Sequence, residues 1–364
     1  MSKLHELAEL GQAVWLDFIG RSFISGGQLR ELLDAGLRGM TSNPTIFEKA
    51  IGGTEDYDDD LRRLLAEGKN DDEIYEGLVI DDIGRAANML LPVYEATRGE
   101  DGYVSLEVSP RLAYDTPGTI AEAKRLFGAL DRPNVMIKIP ATPEGIPAIT
   151  ETIAAGVPVN VTLIFSLQQY EAVVEAYLAG LEKLAARGGD LSRVASVASF
   201  FVSRVDTQVD KKLDDMGRSD LVGKAAIANA KVAYARFKEL FQGSRWEGLA
   251  AKGARLQRPL WASTGTKDKR FSDTHYVDTL IGPHTVNTLP PATLDAFRDH
   301  GTVALTLEQG LDEARALLDT LAQLGIDLDA ITEQLQKDGV DSFAKSFDAL
   351  MTSVADKRQA VAAV

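Results

Sequence analysis

The chain has 364 residues, 45% of them apolar, and its 39 basic against 54 acidic side chains leave a net charge of −15. No stretch supplies the basic footprint that a polyanion partner requires, which excludes nucleic-acid binding as a function class. Cysteine is absent, which removes thiol nucleophiles, thiolate metal sites and disulfides together and agrees with a reducing compartment. The opening segment MSKLHELAELG is polar, and no apolar run reaches the length of a spanning helix. A cytoplasmic protein with neither a secretory leader nor a membrane partner is the expectation.

Taken in chain order, strand-like runs fall near residues 12–18, 37–42, 103–108, 134–139, 157–164, 194–201, 259–264 and 284–288. Helical spacing links them. Gly36 after QLRELLDA reads as a helix stop. In 117–130, Thr116 is the expected N-cap, Pro117 suits the first turn, and Ile120, Ala123, Leu126 and Phe127 form the apolar stripe. In 166–187, Tyr170, Val173, Val174, Tyr177, Leu178, Leu181 and Leu184 recur at helical spacing.

Strands alternating with helices pair in parallel through right-handed crossovers, leaving an open doubly wound sheet or a closed (β/α)8 barrel. The strand count and the polar residues considered next favour the barrel. The expectation is a single TIM-barrel domain over residues 1–364 with additional helices: an insert at about 52–101 and an all-helical C-terminal extension at about 308–364, placed outside the barrel. The acidic run from Glu55 to Asp60 that opens the insert reads as a solvated surface.

Side chains alternate faces along a strand, so in a barrel one parity packs under the helices and the other points inward. Val14, Leu16 and Phe18 take the outer parity, leaving Trp15 and Asp17 inside. By the same rule Ser105 and Glu107, Met136 and Lys138, and Asn160 and Thr162 point inward, and Ser199 and Ser263 follow on later strands. These polar residues lie toward the strand C-termini, the rim where barrel enzymes assemble their sites. A single buried polar group is usually a satisfied core residue. A lysine, two carboxylates and several amides and hydroxyls converging on one rim would cost several kcal/mol per unpaired charge if they served no purpose.

A buried lysine beside carboxylates suits imine chemistry. An exposed lysine is a free amine in only about one molecule in a thousand at neutral pH, and Ile137, Ile139 and Pro140 are expected to withdraw water from Lys138 and favour the neutral form. A neutral amine attacks a ketone to give a Schiff base, which then serves as an electron sink for breaking the adjacent carbon–carbon bond. Glu107 and Asp17 are the candidate proton shuttles. No metal or other cofactor is required, and His5, His275, His284 and His300 show no ligand spacing.

Residues 39–47, GMTSNPTIF, and 135–153, VMIKIPATPEGIPAITETI, match the two signatures of the transaldolase family, which the chain resembles over essentially its whole length. WLDFIGR, SLEVSP, NVTLIFS and SFFVSRVD resemble that family's strand ends in the expected order. The resemblance implies a class I aldolase barrel of the pentose phosphate pathway acting on phosphorylated ketose and aldose substrates. It would move a dihydroxyacetone unit from sedoheptulose 7-phosphate to glyceraldehyde 3-phosphate, giving erythrose 4-phosphate and fructose 6-phosphate. It further implies Lys138 as the Schiff-base lysine, Asp17 as the acid/base at the C4 hydroxyl, and Glu107 with Thr162 as the pair that holds the catalytic water. Asn43 and Asn160 would bind the dihydroxyacetone hydroxyls with Ser199 beside them, and Arg204 the phosphate. Many members carry a second phosphate-binding arginine in an A-S-F-R sequence. Here the text runs Ala262-Ser263-Thr264-Gly265-Thr266-Lys267, so Lys267 is the expected substitute, a point cation without the arginine fork.

Three alternatives stay open on sequence: an aldolase releasing free dihydroxyacetone, a phosphate-binding barrel isomerase, and a non-catalytic sugar-phosphate binder. The sequence does not choose an oligomeric state.

Overall fold

A computed structural model describes residues 2–362, with side chains to residue 360. Eight parallel strands close into a barrel in chain order. They are β1 (Gln12–Asp17), β2 (Gly39–Thr41), β3 (Tyr103–Glu107), β4 (Val135–Pro140), β5 (Val159–Ile164), β6 (Ser196–Phe201), β7 (Gln257–Ala262) and β8 (Thr285–Leu289). Each falls on a run expected from sequence, with ends shifted by up to two residues. Closure comes from β1, which pairs with both β2 and β8, so no strand edge is left unpaired.

Local chemistry sets the element ends. Ser166 caps the helix Leu167–Ala186 in a capping box with Gln169. The helix Thr116–Leu130 begins one residue earlier than expected: Asp115, not Thr116, is its cap, accepting from the Gly118 amide at 3.0 Å. Thr116 instead donates to the Glu144 carbonyl. Gly36 adopts φ +105° after the helix Gln28–Asp34, a conformation glycine accepts without penalty. Gly39 matters for a different reason. It stands opposite Trp15 in register, and a Cβ there would lie 2.6 Å from the indole ring.

The segment between β2 and β3 holds the helices Pro44–Gly53, Asp58–Ala66 and Asp71–Ala96. Its acidic run is more than a solvated surface. Asp60 pairs with Arg21, which also contacts Asp81 at 3.1 Å and the fully buried Asp82 at 2.9 Å. Asp58 pairs at 2.9 Å with Lys357 from the other end of the chain. Asp58 and Asp60 of the run thus meet cations from distant segments, which local composition does not reveal, while Glu55, Asp56 and Asp59 are exposed as expected.

The 35-residue helix Leu328–Ala362 lies across the C-terminal rim. Its Gln336 donates to the carbonyls of Ala141 and Leu163 at 2.8 and 3.0 Å. Leu163 sits in the left-handed region at φ +59°, inside a register irregularity of β5 between Val161 and Ile164. The bulge interrupts regular pairing there, and Gln336 takes up the Leu163 carbonyl. Phe343 of the same helix is thereby held over the barrel mouth.

Candidate active site

Glu107 closes β3, and Lys138 stands opposite it on β4. The lysine amine lies 3.2 Å from Glu107 Oε2, an ion pair too bent to be a hydrogen bond, and donates to the Ser42 carbonyl at 3.2 Å. The Phe343 ring centroid is 5.4 Å away. These groups, not Ile137 and Ile139, surround the amine, because alternation along β4 sends both isoleucines to the other face. The expected apolar sheath around the amine is therefore corrected to a carboxylate, a carbonyl and one aromatic ring.

Asp17 ends β1 and accepts from the Thr41 hydroxyl at 2.7 Å; Thr41 in turn meets Thr288 of β8 at 2.8 Å. Burial pushes the Asp17 carboxyl above its usual range, against the opposing pull of Lys138, Thr41 and Arg204. Burial also raises Glu107, offset by Lys138 and reinforced by the negative charge of Asp17. Two carboxyls held above their ordinary values beside one lysine are candidates for carrying protons in both directions.

The pocket around Lys138 has a volume of about 170 Å³ and is lined by Asp17, Asn43, Thr162, Ser199, Arg204, Ser263 and Lys267 among others. Asn43 caps the helix Pro44–Gly53 through its carbonyl oxygen, which accepts from the Ile46 amide at 3.0 Å; its NH2 group takes no part in that cap. The Thr162 hydroxyl is buried without a hydrogen-bond partner among the described residues, a costly state unless a water or substrate satisfies it. Asn160 does not line the pocket. Second in β5, it lies deeper, donating to Ser105 at 3.0 Å while its carbonyl accepts from Ser199 at 2.7 Å, and so orients the serine above it. Glu107 is likewise absent from the lining and faces a second cavity.

Arg204 enters from the helix Ser203–Asp215, directly after β6, with its guanidinium 5.2 Å from the Phe201 ring centroid. Lost solvation lowers its pKa, and only the charge of Asp17 opposes this. Lys267 comes from the loop after β7. Its amine is held below the usual lysine range by lost water and by the nearby guanidinium. Ser263 lies just beyond β7 rather than within it, in a left-handed conformation at φ +57°. Its hydroxyl is 3.0 Å from Ser203 and its carbonyl accepts from the Ser203 amide at 3.0 Å. These bonds draw the Arg204 and Lys267 segments together. Two cations thus line one pocket and repel each other, an arrangement that an anion between them would relieve.

Seven residues of the lining went unassigned in the sequence: Ala262, Gly265, Pro290, Thr41, Thr288, Phe201 and Phe343. Inward parity on β8 would have found Thr288, and Thr41 lies inside the GMTSNPTIF motif. Nothing local to Phe343 marks it, since its role depends on how the last helix docks.

The chain matches the family model described as transaldolase/fructose-6-phosphate aldolase over residues 14–354. It is 52% identical to a transaldolase of Saccharopolyspora erythraea and 52% identical to one of Thermobifida fusca, each over 98% of both chains. It is 46% identical to a transaldolase of Trichodesmium erythraeum over 97% of both chains. No helix among the described residues is long and apolar enough to cross a membrane. With a closed eight-stranded barrel, a rim lysine paired to a carboxylate and relatives matching it end to end, the chain belongs to the transaldolase/fructose-6-phosphate aldolase family.

Proposed function

We propose that this protein is a cytoplasmic transaldolase that moves a dihydroxyacetone unit from sedoheptulose 7-phosphate to glyceraldehyde 3-phosphate, without a cofactor. The products are erythrose 4-phosphate and fructose 6-phosphate. The observation that carries the reading is one pocket lined by Lys138 together with Arg204 and Lys267, two cations without an ion-pair partner among the described residues. A phosphorylated ketose bound there would set its carbonyl at the lysine and its phosphate at the two cations.

The proton on Lys138 passes to a neighbouring carboxylate, the amine lone pair attacks C2 of the ketose, and a proton moves from the nitrogen to the former carbonyl oxygen to give the C2 hydroxyl. Glu107 gives a proton to the C2 hydroxyl, which leaves as water, and the nitrogen lone pair closes the imine. Asp17 takes the proton of the C4 hydroxyl. The C3–C4 bond breaks, its electrons flow into the iminium, and the aldose departs. The enamine attacks the acceptor aldehyde, Asp17 returns the proton, and water held by Glu107 and Thr162 hydrolyses the new imine. Asn43 and Ser199, the latter oriented by Asn160, hold the dihydroxyacetone hydroxyls. Arg204, Lys267 and Ser263 hold the phosphate.

Peptide mass spectrometry after incubation with fructose 6-phosphate and borohydride tests this. A reduced three-carbon adduct on Lys138 is expected, and its absence from folded, sugar-binding protein would overturn the imine reading. Free dihydroxyacetone released as fast as transfer would assign the aldolase activity instead.

A further inference from the structure

Imine formation expels one water and imine hydrolysis consumes one, so every transfer needs water to leave and another to arrive. A phosphorylated ketose stretched from Lys138 to Arg204 fills the sugar pocket and blocks that side. Glu107 does not line the sugar pocket; its carboxyl faces a separate cavity of about 210 Å³ on the far side. A water needs roughly 10–15 Å³ of such space together with polar partners, so this cavity has room for several.

Its lining mixes polar groups with the apolar Val79, Ile80, Leu106 and Leu126, and it reaches the surface. Asp72 and Arg111 are exposed at its mouth, and Tyr75 and Phe347 form walls. Tyr75 packs edge-on to Phe347 at 5.4 Å, and the Arg111 guanidinium lies 5.1 Å from the same ring. Glu76 and Glu122 also line the cavity, but Arg125 holds them at 2.6 and 3.0 Å. Among the charges acting on the Tyr75 hydroxyl, that of Glu107 is the strongest, and no hydrogen bond offsets it. At the inner end Glu107 Oε2 is buried without a hydrogen-bond donor and 3.2 Å from the Lys138 amine. A chain of waters from Arg111 past Tyr75 would end on the other oxygen of the same carboxyl, Oε1, since Oε2 is itself closed to solvent.

We propose that this second cavity is the route by which water and its protons reach and leave the imine while sugar occupies the front pocket, with Tyr75 as a positioning residue along it. The inference rests on the proton-carrying role proposed for Glu107. In the outward step Glu107 protonates the carbinolamine hydroxyl, the C2–O bond breaks with its electron pair on oxygen, and the water passes behind Glu107. In the inward step a water from the cavity adds to C2, its proton goes to the Glu107 carboxylate, and the C=N π electrons return to nitrogen.

The test uses the full-length protein and fructose 6-phosphate carrying 18O at C2. Ile80→Trp fills the cavity from the helix Asp71–Ala96, and Ser109→Leu narrows it from the other wall; either alone decides the matter if the other fails to fold. Label loss and borohydride trapping are both expected to slow about tenfold, with KM for fructose 6-phosphate and the binding of inorganic phosphate unchanged. Tyr75→Phe keeps the ring and is expected to slow label loss several-fold without moving the thermal midpoint. Label loss at the wild-type rate in the folded variants would overturn the route alone. No trappable adduct on Lys138 in the wild-type protein would overturn the site reading beneath it.

Discussion

Glu107 and Lys138 stand directly opposite each other on adjacent strands, and their charged ends meet at 3.2 Å behind the floor of the pocket. Parallel register fixes the pair: residues opposite each other in the ladder share a face of the sheet, so both side chains point into the barrel. Burial lifts the Glu107 carboxyl while the ammonium pulls it back, which suits a group that must alternately give and take a proton. Glu107→Gln keeps the shape and removes the titration. Imine formation and hydrolysis are expected to slow by about a hundredfold or more, while KM for the ketose stays close to its wild-type value. Rapid-quench borohydride trapping measures the first of these directly. A change confined to substrate affinity would reassign Glu107 to binding.

Asp17 approaches the same lysine from β1, yet its expected effect on the reaction is different. Its hydrogen bond from Thr41 and the further link to Thr288 fix it at the barrel mouth. On the proposed mechanism Asp17→Asn cannot accept the C4 hydroxyl proton, so the imine is expected to form without the carbon–carbon bond breaking. Borohydride trapping of this variant should yield a reduced adduct of the intact six-carbon sugar on Lys138, in place of the three-carbon one. A three-carbon adduct formed at the wild-type rate would mean another group serves as the base.

The barrel was legible because buried parallel strands carry their own punctuation, and alternation alone sorted Asp17, Glu107, Lys138 and Thr162 to the inside. What alternation does not supply is depth. Asn160 and Thr162 share a parity, but two residues of rise put Asn160 beneath the pocket, where its amide is engaged by Ser105 and Ser199. Ser263 shows the complementary failure: a strand pattern continued past the last ladder bond into a left-handed residue. The contributions of the C-terminal helix were invisible for a third reason. Gln336 and Phe343 act across almost two hundred residues of sequence separation, and the bulge at Leu163 that receives Gln336 has no marker such as glycine.

In the proposed phosphate site Arg204 supplies one fork and Lys267 one point charge. Each is weakened as a cation by lost solvent, and Lys267 also by its neighbour, so an arriving dianion relieves both. Inorganic phosphate is expected to raise the thermal midpoint of the wild-type protein and not that of Arg204→Ala. Charge-assisted hydrogen bonds of about 1.5–3 kcal/mol correspond to a rise in KM of roughly ten- to a hundredfold for Arg204→Ala. A smaller rise is expected for Lys267→Ala, and Lys267→Arg should retain or improve affinity. The corresponding non-phosphorylated sugars should be nearly indifferent to all three changes. A Lys267→Ala variant with wild-type KM for phosphorylated sugars would place that lysine outside the site.

Asp206 and Asp210 lie on the helix that begins beside Arg204, and both face inward. Asp206 accepts from the Ala226 amide at 2.7 Å and from Tyr276 at 2.9 Å; Asp210 accepts from the Gly223 amide at 3.0 Å. Burial still outweighs these bonds, pushing Asp206 up to about 6 and Asp210 to about 7. The groups facing Asp210 are Asp206 and Asp214, which raise it further, and Arg270, which lowers it. An unfolded aspartate titrates near 3.9, so between that value and about 7 the folded chain holds protons that the unfolded chain has released. Stability from these two groups is therefore complete below pH ~4 and is lost as pH rises to about 7. The exposed carboxylates whose pKa values are lowered by partners, such as Asp214 and Glu182, lose stability only as pH falls below their unfolded values. They leave the window from pH 5 to 8 to the buried groups and to the exposed His300, which Asp273 and Asp299 raise and whose contribution is likewise lost as pH rises. The thermal midpoint should consequently fall across that window, and Asp210→Asn, which keeps an acceptor for the Gly223 amide and never ionises, should flatten the fall. Calorimetry of both proteins at pH 5, 6.5 and 8 measures it. A variant whose midpoint falls as steeply as that of the wild type would mean that Asp210 is already ionised throughout and that its burial costs the fold nothing.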